Sequence, residues 1–67
     1  MSTAALLDAV KEHLAVKTDA DLAKQLRYSR QSIYNFRNTG EITSALEIAI
    51  LEATNWGLWE MRGKGRG

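Results

Sequence analysis

Apolar residues recur along this chain at helical spacing, in runs separated by polar or glycine-bearing breaks. Leu6, Leu7, Val10 and Leu14 stand three and four residues apart, with Lys11 and Glu12 turned away, which predicts an amphipathic helix over 2–16. Alanine, the strongest helix former, fills much of the rest of that stretch. Leu22, Ala23 and Leu26 predict a short second helix, which Thr18 can cap, with Asp21 three places on completing a capping-box pattern. Ile33 and Phe36 form the inward face of a third helix, about 30–37, capped by Ser29. Thr39-Gly40 ends it, because glycine readily takes the left-handed conformation at a helix end, and Ile42 returns the chain to the core. Leu46, Ala49, Ile50 and Ala53 predict a fourth helix over 44–54, opened by a capping box from Ser44 to Glu47. Ile48 and Leu51 make a second apolar stripe on that helix, off to one side. Asn55 to Met61 is the most apolar short stretch.

The polar positions of the third helix carry the candidate chemistry. Beside Ile33 and Phe36 stand Arg30, Gln31, Tyr34 and Asn35, for which a small helical core has no use. Between Asp21 and Glu41 the chain holds Lys24, Arg27, Arg30 and Arg37 and no acid. Arginine, glutamine and asparagine have hydrogen-bonding forks that match guanine and adenine edges in the major groove. Two short helices joined by a tight turn, the second with such a face, read as a helix-turn-helix that binds double-stranded DNA. Arg30 and Gln31 fall in the first turn, the part that enters the groove, where they suit a guanine and an adenine. Asn35 lies one turn above Gln31, and Tyr34 one turn above Arg30, within reach of a thymine methyl or a phosphate. Lys17, Ser29, Ser32, Arg37 and Asn38 are candidate phosphate contacts around the two helix ends.

The run TDADLAKQLRYSRQSIYNFRN, about 18–38, resembles the helix-turn-helix of the phage Cro and lambda-type repressor family. Asp19 is similar to the motif's first position, and its apolar or small positions fall on Leu22, Ala23, Leu26, Tyr28, Ile33 and Phe36. Ser29 to Ile33 resembles the start of the recognition helix, and Asn38 with Gly40 the asparagine-glycine ending common after it. The turn position usually held by glycine is Arg27, so a turn more open than usual is expected, since a left-handed arginine costs roughly 1 kcal/mol. Asn55 to Met61 resembles the family's brief fifth helix, with Trp59 placed like its tryptophan. The resemblance implies an all-α, five-helix, lambda-repressor-like domain over 1–62; the three glycines among 63–67 predict a flexible basic tail after it. It implies a sequence-specific transcriptional regulator, a Cro-like phage or prophage repressor, that binds a pseudo-palindromic operator as a dimer. The alternatives are a small phage transcription activator with the same motif, or an antitoxin or antirepressor that keeps the fold and binds protein.

Composition narrows this further. A chain of 67 residues has room for one small core, and domains near 60 residues bury only about 60% of their unfolded surface. With no cysteine and one histidine, neither a disulfide nor a zinc-thiolate or multi-histidine site is expected, and no cofactor. Ser29 and Ser32 have no base nearby in the sequence, so no enzyme and no small-molecule ligand are expected. No apolar run is long enough to cross a bilayer and no signal-peptide pattern opens the chain, which predicts a soluble, cytoplasmic, nucleoid-associated protein. Net charge is only +1, but four of the nine basic residues lie in the motif and three more in the last six residues. Ile48, Leu51, Trp56, Leu58, Trp59 and Met61 exceed what so small a domain is expected to bury, and are the candidate contacts of a homodimer.

Overall fold

The computed structural model describes residues 3–64. Within them run five helices: α1 Thr3–Leu14, α2 Asp19–Leu26, α3 Arg30–Thr39, α4 Ser44–Thr54 and α5 Leu58–Lys64. The fold is all-α, with no strand among the described residues. The starts of α2, α3 and α4 follow from hydroxyl side chains. Thr18 Oγ1 accepts from the Asp21 amide at 3.1 Å and Ser29 Oγ from the Ser32 amide at 3.1 Å, each cap contributing about 1 kcal/mol. The α4 cap is Thr43 rather than Ser44. Thr43 is extended, its Oγ1 accepts from the Leu46 amide at 3.1 Å, and its carbonyl accepts from Glu47, so Ser44 is already helical.

Helix ends explain the turns. α1 stops at Ala15 and α2 at Arg27, both left-handed, with φ of 58° and 61°. In each, the next amide reaches back to close the last turn: Val16 N–H to Lys11 O at 3.0 Å and Tyr28 N–H to Ala23 O at 2.8 Å. The turn between α2 and α3 is therefore tightly closed, not open. Arginine simply occupies the left-handed position, at a strain of roughly 1 kcal/mol. Gly40 and Asn55 end α3 and α4 with single bonds to Phe36 O and Leu51 O.

Leu6, Leu7 and Val10 of α1, Leu22, Ala23 and Leu26 of α2, Ile33 of α3, and Leu46 and Ile50 of α4 form one buried core. Tyr28 and Phe36 meet edge to face at 5.4 Å on its flank, tying the turn to α3. Thr3 Oγ1 donates to Gly40 O at 2.8 Å, fastening the start of α1 to the end of α3.

Two expectations at the carboxyl end are corrected. Trp56 and Met61, expected at a subunit contact, are core residues, 8% and 2% exposed. The left-handed Asn55 reverses the chain, and Thr54 Oγ1 accepts from the Trp56 amide, laying the indole back over α1 beside the His13 ring at 5.0 Å. His13 is thus an aromatic neighbour of Trp56, with Lys64 Nζ on the same indole at 5.3 Å. The helix also continues through Gly63 to Lys64, where glycines had predicted the beginning of a tail. The predicted helix start at Ser2 and the tail residues Gly65, Arg66 and Gly67 lie outside the described residues. Among the described residues, no helix is long and apolar enough to cross a membrane.

Candidate nucleic-acid interface

α3 is amphipathic in a way that fixes which side chains reach solvent. Ile33 points into the core and Phe36 packs against it, so the positions between them must face out. Arg30, Gln31, Tyr34 and Asn35 are all exposed, Tyr34 by 59%. Arg30, Gln31 and Tyr34 line an open hollow of about 360 Å³, shared with Asp19 at the start of α2. Arg30 makes no ion pair among the described residues, and Gln31 Nε2 donates to Asn35 Oδ1 at 3.1 Å. The four predicted base-reading residues thus form one continuous outward surface.

Around it, Lys17 precedes α2 and is exposed, as are Ser29 and Asn38. Ser29 and Ser32 stand at the amino end of α3, their hydroxyl oxygens 3.0 Å apart, with Ser32 half-buried. The amino ends of α2 and α3 both hold free backbone donors of the kind that meet phosphates.

Arg37 is a correction. Expected to grip a phosphate, it is instead spent inside the chain. Its Nε and Nη2 donate to both oxygens of Asp19 at 3.0 Å, Nη2 also meets Asp8 at 2.8 Å, and Nη1 reaches Ala4 O at 3.4 Å. The reason lies in its spacing: Arg37 is four residues past buried Ile33 and so shares its inward face, at the edge where α1, α2 and α3 meet. Lys11 adds a contact to Asp19 at 3.3 Å. Partial burial would raise the Asp19 carboxyl, but the hydrogen bonds from Arg37 and Lys11 and their charges outweigh it, so its pKa lies below the ordinary carboxylate value. For Arg37, partial burial pulls down, and the bonds to Asp19 and Asp8 more than reverse it. This hub was missed from the sequence, although an arginine one turn beyond a core isoleucine was the available signal.

A second surface lies across the molecule's carboxyl-terminal helices. Ile48, Leu51, Leu58 and Trp59 are exposed by 55%, 43%, 57% and 83%. Ile48, Leu51 and Leu58 rim an apolar hollow of about 250 Å³ whose floor is Trp56 and Met61. Four of the six expected dimer contacts are therefore on the surface, and the two buried ones support them from beneath.

The fold and the site define a small all-α domain that presents the polar face of α3 after a tightly closed turn from α2. Compared with known proteins, the chain matches no family model, no curated protein and no solved structure.

Proposed function

We propose that this protein is a sequence-specific DNA-binding transcriptional regulator, of the Cro-like repressor type that its motif resembles. The observation that carries the reading is the outward face of α3: a guanidinium, two amides and a phenol, all exposed, with no carboxylate among the described residues paired to the guanidinium. Arg30 would grip a guanine and Gln31 an adenine, each bidentate contact contributing roughly 1–3 kcal/mol of discrimination. Lys17, Ser29, Ser32 and Asn38 would meet phosphates beside them and set the register, without reading sequence. The protein acts by binding; none of its roles calls for catalysis, a cofactor or a small-molecule ligand.

The apolar face of α4 and α5 supports assembly as a homodimer, because exposed aromatic and aliphatic side chains beside a largely apolar hollow are the usual core of a subunit contact. Two copies would set their α3 helices in successive major grooves about 34–36 Å apart, on a pseudo-palindromic operator. Occupying an operator that overlaps a promoter would block polymerase, which places the protein with the nucleoid. The same apolar face is the feature that favours the second reading, a domain that keeps the fold and binds another protein.

Selection of binding sites from a random duplex pool separates the two. The proposal expects an enriched two-fold symmetric site, and Gln31→Ala should relax one base pair in each half. A pool with no enrichment at low salt, together with capture of a protein partner on α4 and α5, would establish the second reading instead.

A further inference from the structure

The apolar hollow between α4 and α5 does not end at Trp56. A second hollow, reaching Ile42 and Arg62, shares Glu47, Leu58 and Met61 with it, so the two form one groove. Its α4 bank is Glu47, Ile48 and Leu51, and its α5 bank is Leu58, Met61 and Arg62. Charge is divided between the banks. Glu47 and Glu52 stand on α4 and Arg62 on α5, and none of the three makes an ion pair among the described residues. Glu47 and Arg62 line the same end of the groove from opposite sides. Glu60 is turned about 200° away from Arg62 around α5, and Lys64 lies on the Trp56 indole.

Resting on the homodimer reading, and independent of DNA binding, we propose that a second copy of the chain covers this groove about a two-fold axis running along it. A two-fold contact between two such faces has its axis either along the groove or across it. An axis across the groove lays α4 on α4 and sets Glu47 and Glu52 against the same acids of the other copy. An axis along the groove lays α4 of each copy on α5 of the other. Arg62 of one copy then meets Glu47 of the other, and the symmetry makes that pair twice. Four charges alternate in sign around the axis, whereas the other arrangement opposes like charges, which is costly at an interface. In the chosen register Leu58 and Trp59, exposed by 57% and 83%, cover Ile48 and Leu51 of the other copy, so the apolar stripes of both helices are shielded together.

The test is sedimentation of the full chain, of Arg62→Glu, of Glu47→Lys and of an equimolar mixture of the two variants, at low and high salt. Thermal melts check that each variant is folded. Turning two attractive surface pairs into two repulsive ones is worth roughly ten- to a hundredfold in dimer affinity at low salt. Each variant alone should dimerise more weakly than the parent by that factor. The mixture should recover the dimer, because every pair across its interface is again of opposite sign. Salt should weaken the parent dimer and strengthen that of Arg62→Glu, a reversal that needs only this exposed side chain to be replaced. If Glu47→Lys dimerised as tightly as the parent or more tightly, α4 would lie on α4 and the register would be overturned. A mixture no more dimeric than its components would overturn it too. A parent chain that is monomeric at every concentration, free and on DNA, would instead remove the homodimer itself and leave the groove to a different protein.

Discussion

Replacing Arg37 by alanine should damage the fold before it damages any contact with DNA. The side chain is 21% exposed and joins α3 to α1 and α2 through a paired contact to Asp19 and single contacts to Asp8 and Ala4 O. Asp8 is 65% exposed, so solvent screening leaves its share at a few tenths of a kcal/mol. The Asp19 pair is part-buried and held at two atoms. It therefore lies between the 0–1 kcal/mol of exposed pairs and the roughly 3–5 kcal/mol seen when one partner of a buried pair is removed. Lys11 at 3.3 Å still compensates Asp19 in the variant, which pulls the figure to the lower side. The sum is about 2 kcal/mol, or a fall in melting temperature of roughly 8–16 °C for a domain of this size. Arg37→Lys keeps the charge without the fork and should lose about half as much.

The pH dependence has a definite sign. The folded pKa of Asp19 is depressed, so its contribution is present above the unfolded value of about 3.9 and is lost as pH falls through the lower folded value. The gap between parent and Arg37→Ala should therefore be constant at neutral pH and shrink below about pH 4. Differential scanning calorimetry across that range is the assay. An Arg37→Ala chain that melts like the parent but loses DNA affinity would restore Arg37 as a phosphate contact and refute the reasoning.

Arg27→Gly should raise stability by roughly 0.5–1 kcal/mol, because glycine fills the left-handed turn position without strain, and a lowered melting temperature would contradict it. Thr43→Ala should cost about 1 kcal/mol while Ser44→Ala stays within a few tenths, and the reverse order in thermal melts would return the cap to Ser44. Trp59→Ala combined with Ile48→Asp should leave the circular dichroism spectrum intact and shift sedimentation towards monomer. A parent chain that sediments as a monomer at every concentration, free and on DNA, would remove the homodimer. Iodide should quench Trp59, which is 83% exposed, far more than Trp56, so quenching in Trp59→Ala should nearly vanish.

The sequence carried the helices wherever local spacing determined them. Leu6, Leu7, Val10, Leu22, Ile33, Leu46 and Ile50 are buried as their three- and four-residue recurrence requires, and the outward set on α3 follows from Ile33 and Phe36. Thr18 and Ser29 were readable as caps because each stands alone before its helix; Thr43 and Ser44 are adjacent hydroxyls, and only the backbone angles separate them. What escaped was set at a distance. The partners of Arg37 lie 18 and 29 positions away, so its spacing from Ile33 could mark the inward face but not the acids it would meet there. Trp56 was misread because one left-handed residue, Asn55, turns the indole from the surface onto α1. Burial of Met61 carries α5 past Gly63, against that residue's own preference.

The outward face of α3 is best tested by amide chemical-shift mapping of the labelled full chain, titrated at low salt with a duplex taken from site selection. The largest changes are expected at Lys17, Arg30, Gln31, Tyr34 and Asn35, with Arg37 Nε still bonded to Asp19. No perturbation with any duplex, or changes confined to the apolar face of α4 and α5, would contradict it.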